Sequence, residues 1–226
     1  MSTAVLLSGG LDSAVLLADE ASRGEVQPVY VSVGLAWEAA EQAVVRRFLD
    51  LGRFRARPLT ILTIDMRDVY AANHWAVEGR PPAYHTPDED VYLPGRNIVL
   101  LGKAGVYCAA AGFDRLVIGT LEHNPFPDAT PEFRDAMQRA LSIGLAHDLR
   151  IEAPFTGTSK ADVIRRGVAL GVPFDVTLSC MNPQRSATGR YIHCGVCSKC
   201  RERHDAFIEA GVPDTTTYAS TMYVKL

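Results

Sequence analysis

The sequence predicts an α/β fold in which helices cover both faces of a doubly wound parallel sheet. Short apolar runs of strand length alternate with segments of helical period, which is the pattern of repeated β-α-β units. The runs are almost entirely apolar, as expected for strands buried on both faces. A glycine loop joins the first run to the first helical segment. With 226 residues, 47% of them hydrophobic, the chain can bury one substantial core.

The elements follow one another along the first half of the chain. Strands are predicted over residues 3–7, 26–33, 59–64 and 115–119, with helices from 12, over 38–51 and over 97–111. Residues 68–91 are rich in proline, histidine, asparagine and charge and show no clean period. We expect a long loop or lid there.

The second half continues the pattern and then changes character. A helix is predicted over 131–146, a strand over 150–153, a helix over 159–170 and a short helix over 201–209. Cysteines crowd the region between the last two helices. We therefore predict an α/β domain over residues 1–175 and a small metal-binding segment over residues 176–226 that packs on it.

Composition and charge favour a small-molecule enzyme. The formal net charge is −3 and the pI is near 6.1, whereas nucleic-acid and membrane-surface binders usually carry a basic excess. The first residues, MSTAVLLSGG, lack the pattern of a signal peptide. No apolar run reaches the roughly 20 residues that span a bilayer. We expect a cytoplasmic protein with no membrane partner.

The glycine loop after the first predicted strand is the first candidate site. It consists of Ser8, Gly9, Gly10, Leu11, Asp12 and Ser13. Unpaired backbone N–H groups and the helix dipole favour a bound anion at such a position, and the glycines allow its close approach. An ordinary turn with an N-cap is the alternative. No Gly-Lys-Ser/Thr follows, so this is not a Walker A loop.

Four of the five cysteines predict a metal site. They are Cys180, Cys194, Cys197 and Cys200. Their spacing brings four thiolates to one tetrahedral ion, and zinc is the metal that this ligand set favours. A redox CxxC pair or an iron–sulfur cluster is the alternative. Since four protein ligands leave no open position, the zinc is expected to be structural.

Two further segments carry candidate ligand-binding residues. Arg96 lies just before a predicted helix, where it is well placed to meet phosphate or carboxylate, although a simple turn explains the segment equally well. Residues 124–133 follow the strand 115–119 at the expected carboxyl edge of the sheet, where such folds bind ligands. That segment contains Asp128, Glu132 and Phe133.

The glycine loop SGGLDS resembles the pyrophosphate loop of the N-type ATP pyrophosphatases. This resemblance implies the Rossmann-like fold of the adenine nucleotide alpha hydrolase-like (HUP) superfamily. It also implies that the six residues of the loop bind ATP and that Asp12 serves Mg²⁺ and phosphate. A departing pyrophosphate needs such charge stabilisation when a carboxylate attacks the α-phosphorus.

The loop, the PGRN segment at Arg96, the PD-xxx-EF segment at Asp128 and the four cysteines occur in the order seen in the 7-cyano-7-deazaguanine synthase family. The resemblance implies an ATP-dependent ligase of queuosine biosynthesis that converts 7-carboxy-7-deazaguanine and ammonia to the nitrile. Arg96 and Lys160 would contact nucleotide phosphate and act with Asp12 in catalysis. Asp128, Glu132 and Phe133 would hold the deazaguanine. The resemblance further implies one structural zinc and a homodimer.

Two departures from the family pattern leave the substrate open. Residues 32–38 read SVGLAWE where the family has an Asp-Tyr-Gly-Gln-Arg-like stretch, and Ala129-Thr130 stand where it has Cys-Arg. An amide-forming, conjugating or thiolating relative acting on another acid or base is one alternative, and a non-catalytic nucleotide-binding partner protein is another. Among weaker candidates, His123 directly precedes the segment 124–133, and Cys108 is expected to be a buried packing residue.

Overall fold

The computed structural model describes residues 2–122 and 124–224. Its main sheet consists of β1 (Thr3–Leu6), β2 (Val26–Ser32), β3 (Thr60–Thr63), β4 (Arg115–Val117) and β5 (Arg150–Glu152). A two-stranded ribbon is formed by β6 (Gln184–Arg185) and β7 (Tyr191–Ile192). The described α-helices are α1 (Leu11–Arg23), α2 (Glu38–Asp50), α3 (Trp75–Glu78), α4 (Arg96–Ala111), α5 (Pro131–Leu145), α6 (Lys160–Ala169) and α7 (Ser198–Ala210).

The main sheet is parallel throughout and has the strand order β3-β2-β1-β4-β5. Strand β1 is central, and Thr3 pairs with Val26 on one side and with Arg115 on the other. The direction in which strands are added reverses between β1 and β4. Ligands bind in the crevice beyond the carboxyl ends of the strands at such a switch point. The predicted doubly wound α/β fold is confirmed.

Buried side chains alternate along β1 and fill a core on each face of the sheet. Ala4 is fully buried in the core that includes Leu101 of α4. Val5 is fully buried in the opposite core, which includes Val15 of α1. The two cores fix α1 and α4 on opposite faces, so the residues that follow β1 lie at the rim between them. Cys108 is fully buried in the α4 core, as predicted, and burial raises the pKa of its thiol to about 12.

The C-terminal segment is tied to the α/β part through Arg203 of α7. This guanidinium is fully buried and donates hydrogen bonds to Phe174 O at 2.8 Å, Thr177 Oγ1 at 2.9 Å and Thr216 Oγ1 at 2.6 Å. A buried cation is stable when its donors are satisfied in this way. The division into residues 1–175 and 176–226 stays a prediction.

Two expectations about secondary structure were wrong. The helix predicted over 201–209 begins at Ser198, so Cys200 lies in its first turn. A helical turn is what brings Cys197 and Cys200, three positions apart, to the same side. Residues 68–91 are not a plain loop, since they contain α3 and a 3-10 turn over Asp88–Val91. No described helix has the length and apolar character needed to cross a bilayer.

Candidate active site

A cavity of about 650 Å³ opens at the carboxyl ends of β1, β2 and β4, at the switch point of the sheet. This volume falls within the range of small-molecule sites, roughly 300–1,000 Å³. It brings together residues from the glycine loop, from the start of α4, from the segment after β4, and from α6 and α7. The predicted nucleotide- and substrate-binding residues that line it are Ser8, Gly10, Asp12, Ser13, Arg96, Asp128 and Lys160, and the predicted metal ligand Cys180 also lines it.

The backbone of the glycine loop requires glycine at position 9. Gly9 has a φ of 83°, and a Cβ there would lie 3.0 Å from Val45 Cγ2. The carbonyl of Gly9 accepts a 2.7 Å hydrogen bond from Leu178 N, which links the loop to the C-terminal segment. Glycine therefore serves here both the left-handed conformation and the close packing of α2.

The amino end of α1 faces the cavity. Gly10 is the N-cap, and no side chain of the described residues caps the helix. The hydroxyl of Ser13 donates to Gly10 O at 3.0 Å, and the hydroxyls of Ser8 and Ser13 lie 3.2 Å apart. A helix N-terminus with uncapped N–H groups and flanking hydroxyls is suited to a phosphate.

The side chain of Leu11 does not face the cavity. Its side chain is fully buried in the core on the α1 face of the sheet, and it does not line the cavity as described. Gly9 is also absent from the described lining, because it faces α2. These two residues shape the loop, whereas Ser8, Gly10, Asp12 and Ser13 present groups to the cavity.

Four charged side chains form a row across the end of the cavity that the glycine loop lines, which is the end suited to phosphate. The Lys160 ammonium lies 3.1 Å from Asp12 Oδ2 and also contacts Glu202 Oε1. Glu202 Oε2 lies 2.5 Å from the Lys199 ammonium. Burial alone would lower the pKa of Lys160, but the neighbouring carboxylates of Asp12 and Glu202 outweigh it and raise that pKa. Lys160 is therefore a fixed cation beside the glycine loop.

Asp12 keeps one oxygen without a partner. Its Oδ1 is buried, and no hydrogen-bond donor among the described residues reaches it. A buried carboxylate oxygen in this state is costly unless a ligand completes it. Oxygen ligands of this type are those that Mg²⁺ prefers. The residue thus fits the predicted magnesium and phosphate role.

The start of α4 forms a second charged wall, with Arg96 facing Glu41 of α2. Glu41 lines the cavity and accepts a 2.7 Å hydrogen bond from Tyr30 Oη. Burial raises the pKa of Glu41 to about 7, although Arg96 and the Tyr30 hydroxyl pull it down. Nε of Arg96 is buried without a hydrogen-bond partner among the described residues. This guanidinium edge fits an anionic ligand.

Asp128 supports α4 as well as lining the cavity. Its Oδ2 accepts a 3.0 Å hydrogen bond from Asn97 N, and its backbone carbonyl accepts one of 3.0 Å from Asn97 Nδ2. Burial raises the pKa of its carboxyl, against the lowering effect of these bonds. The carboxylate acts as a cap for the amino end of α4. Asp128 consequently positions Arg96, the neighbour of Asn97.

Glu132 and Phe133 do not join Asp128, the third predicted substrate residue, at the cavity. Glu132 is exposed, and Phe133 packs against the core on the α4 face. Neither is among the described residues that line the cavity. Both lie in the first turn of α5, where Thr130 Oγ1 accepts a hydrogen bond from Phe133 N. His123 lies outside the described residues.

Two aromatic pairs stand on opposite sides of the glycine loop. Trp37, which follows β2, stacks on Trp75 with ring centres 5.8 Å apart and planes 13° apart. Phe126, which follows β4, stacks on Tyr92 at 5.0 Å and 24°. All four rings line the cavity. Planar walls of this kind suit flat heterocycles.

The segment after β2 folds around a buried carboxylate. Glu38 accepts hydrogen bonds from Val33 N at 2.8 Å, from Gly34 N at 3.2 Å and from Ser32 Oγ at 2.5 Å. A carboxylate at the amino end of α2 is stabilised by the helix dipole. This closed loop directs Trp37 towards the cavity. It is formed by residues 32–38, the SVGLAWE stretch that departs from the family pattern.

The four cysteine thiols meet at one point. All Sγ atoms lie within 4.8 Å of one another, with separations of 4.0 Å for Cys180–Cys197, 3.8 Å for Cys194–Cys200 and 3.5 Å for Cys197–Cys200. Four sulfurs placed about 2.3 Å from one tetrahedral ion would be about 3.8 Å apart. The cluster therefore fits a tetrahedral metal.

Backbone N–H groups support this cluster. Cys180 Sγ accepts from Cys194 N at 3.2 Å and from Asn182 N at 3.3 Å, and Cys200 Sγ accepts from Gly195 N at 3.4 Å. Such donors stabilise thiolates and orient them towards a metal. Gly195 has a φ of 79°, and a Cβ there would lie 2.0 Å from Ser220 O, so the turn requires glycine.

Comparison with known proteins decides the family. Residues 2–211 match the family described as Queuosine biosynthesis protein QueC. The chain belongs to the QueC family. It is 32% identical to the 7-cyano-7-deazaguanine synthase of Thermoplasma volcanium, with 95% of this chain and 90% of that protein covered. It is 34% identical to the enzyme of the same name from Anaeromyxobacter dehalogenans, with 95% and 94% covered.

Further relatives in the QueC family agree with this. The 7-cyano-7-deazaguanine synthase of Methanosphaerula palustris is 32% identical, with 96% of this chain and 99% of that protein covered. The resemblance inferred from the motifs is confirmed over nearly the whole chain. The alternatives of a conjugating enzyme and a non-catalytic partner are not favoured by these names.

Several cavity residues of this QueC-family chain were not predicted from the sequence. Lys199 and Glu202 belong to α7, which was predicted to begin beyond Lys199. Glu41 and Tyr30 were assigned to a helix face and a buried strand. The spacing CxxCxE was a usable signal for Glu202, since it places the carboxylate on a helix held by the cysteines. No short pattern marks a contact between α2 and β2.

Proposed function

We propose that the chain uses ATP to convert 7-carboxy-7-deazaguanine and ammonia to 7-cyano-7-deazaguanine. The observation that carries the proposal is the pairing of Lys160 with Asp12 beside the SGG loop, in a cavity with flat aromatic walls. Membership of the QueC family and relatives named 7-cyano-7-deazaguanine synthase support the choice of substrate.

The proposed reaction runs in two activations. The substrate carboxylate attacks the α-phosphorus of ATP and releases pyrophosphate, and ammonia then displaces AMP to leave an amide. The amide oxygen attacks a second ATP, again releasing pyrophosphate. Loss of AMP and of the remaining amide protons leaves the nitrile. No side-chain nucleophile is needed, so positioning and charge stabilisation carry the rate.

The residues at the phosphate end have the groups that this chemistry requires. The uncapped amino end of α1 and the hydroxyls of Ser8 and Ser13 would bind phosphate oxygens. Lys160 would neutralise charge on the leaving pyrophosphate, and Arg96 would meet the α-phosphate or the substrate carboxylate. Asp128 keeps Arg96 in place through the cap of α4.

Two metals have separate places in the proposal. Asp12, with its unpartnered Oδ1, would hold Mg²⁺, which neutralises phosphate charge when bound. The four cysteines would hold a structural Zn²⁺, because their separations fit a tetrahedral sulfur site. Thiolates that bind a metal must not be oxidised to disulfides, and a reducing compartment such as the cytoplasm prevents that oxidation. The cysteine cluster therefore supports a cytoplasmic location.

The family resemblance supports free ammonia as the nitrogen source and a homodimer.

Product analysis with purified protein tests the proposal. ATP, magnesium and ammonium would be supplied with and without 7-carboxy-7-deazaguanine, and pyrophosphate and the heterocycle would be followed. We expect substrate-dependent release of two pyrophosphates for each nitrile formed. Release that ends at the amide, with one pyrophosphate, would contradict the nitrile assignment.

A further inference from the structure

Glu202 occupies a central place in the phosphate end of the cavity. It lies on α7, two residues after the metal ligand Cys200, and its carboxylate joins two lysines. One oxygen contacts the Lys160 ammonium, and the other lies 2.5 Å from the Lys199 ammonium. Its side chain is partly buried, at 23% exposed, so these contacts are only moderately screened by water.

The carboxylate of Glu202 reduces the electrostatic repulsion between Lys160 and Lys199. Two ammonium groups at one end of a cavity repel one another, and a carboxylate shared between them offsets that repulsion. Lys160 is 16% exposed and Lys199 is 28% exposed. With Glu202 between them and Asp12 beside Lys160, two cations and two anions lie in one row. Both ammonium groups are thereby kept at the wall of the cavity.

Helix α7 holds Glu202 in place from two directions. Its first turn carries Cys197 as N-cap and Cys200, so the cysteine cluster fixes the start of the helix. The neighbouring Arg203 is fully buried and bonded to Phe174 O and Thr216 Oγ1. A charged group on a rigid element can position its partner more accurately than one on a loop.

We infer that Glu202 is a positioning residue, which holds the Lys160 ammonium where it meets the departing pyrophosphate. This inference rests on the proposed function for the role of Lys160. Glu202 itself repels phosphate, so it does not add to the attraction for ATP. Its contribution is to the geometry of the reacting complex. Through Glu202, helix α7, whose start is fixed by the cysteine cluster, becomes a part of the nucleotide site.

A kinetic test separates positioning from attraction. Glu202→Gln keeps the size of the side chain and removes its charge. We expect kcat for pyrophosphate release to fall about ten- to hundredfold, as for a small misplacement of a catalytic group, while KM for ATP changes less than about twofold. Glu25→Gln, at an exposed position before the amino end of β2 and outside the cavity lining, makes the same charge change and should leave both constants unaltered.

A double-mutant cycle tests whether Glu202 acts through Lys160. In a Lys160→Met background, Glu202→Gln should reduce kcat less than about twofold, since the group to be positioned is gone. An equal loss in both backgrounds would overturn the inference. Bound metal and thermal midpoint should match the wild type, and loss of metal in Glu202→Gln would show a structural role instead.

A structural test does not depend on turnover. In a crystal structure of Glu202→Ala, we expect the Lys160 ammonium to shift by more than about 1 Å while the cysteine cluster stays unchanged. An unmoved Lys160 would refute the inference. If the wild type releases no pyrophosphate with the deazapurine acid, the proposed function fails by itself, and the position of Lys160 in this variant still decides the role of Glu202.

Discussion

The Lys160 ammonium lies 3.1 Å from Asp12 Oδ2, so a cation from the first turn of α6 reaches the first turn of the neighbouring helix α1. This contact joins two residues 148 positions apart. It places a positive charge beside a carboxylate that retains an unpartnered oxygen. Under the proposed function, the pair would supply a contact for phosphate and a ligand for a divalent cation.

Replacing Lys160 tests this pair. Lys160→Met should lower the rate of pyrophosphate release by about 10²- to 10³-fold, because charge on the leaving group loses a preorganised donor. Initial-rate assays with saturating ATP give kcat. Lys103→Met, an exposed lysine on α4, is the matched control and should retain the wild-type rate. Equal rates in both variants would show that Lys160 takes no part in the reaction.

The cysteine cluster should be needed for metal and for stability. Cys194→Ala should abolish stoichiometric zinc and lower Tm by about 10 °C or more, since a structural zinc site contributes several kcal/mol to folding. Metal content and thermal unfolding measure the two effects. Cys108→Ala changes a buried thiol that is not in the cluster and should keep its zinc. Full zinc in Cys194→Ala would exclude this residue as a ligand.

Glu41 should make stability depend on pH. Burial is the main cause that raises the pKa of its carboxyl from 4.5 to about 7. The folded protein therefore binds the carboxyl proton more tightly than the unfolded chain does. Its contribution is complete below the unfolded pKa and is lost as pH rises to about 7. Glu38 raises the same pKa, whereas Arg96 and the Tyr30 hydroxyl lower it.

Urea unfolding of wild type and Glu41→Gln at pH 5.5 and pH 8 measures this effect. Relative to wild type, the variant should be about 2 kcal/mol more stable at pH 8 than at pH 5.5, because only the wild type loses stability between these pH values. Glu132→Gln, an exposed glutamate on α5, should show no such change between the two pH values. A pH-independent difference for Glu41→Gln would mean that Glu41 titrates normally.

Tryptophan fluorescence should report the binding of a heterocyclic ligand in the cavity. The chain contains two tryptophans, and both line the cavity as the Trp37–Trp75 stack. We expect saturable quenching by ATP with magnesium or by 7-carboxy-7-deazaguanine, because a planar ring would contact this wall. Inorganic tripolyphosphate, which carries no ring, should quench little. An emission spectrum that changes neither with ATP nor with 7-carboxy-7-deazaguanine would show that neither ligand contacts the tryptophan stack.

The fold and the motif residues were predictable because their signals are local. The apolar runs, the glycine loop before α1 and the cysteine spacing each specify structure over a few residues. The contact of Lys160 with Glu202 depends on how α6 packs against α7, which no local pattern encodes. The exposure of Glu132 likewise follows from the rotation of α5 about its axis. These features required tertiary structure.

The transfer of carboxylate oxygen tests the account most directly. With substrate labelled by ¹⁸O in both carboxylate oxygens, adenylation followed by attack of ammonia passes one labelled oxygen to AMP, and the second activation passes the other. Mass spectrometry of AMP should therefore show one ¹⁸O in each of the two AMP molecules formed per nitrile. AMP without label, formed together with pyrophosphate, would mean that water attacks ATP, and would contradict activation of the carboxylate.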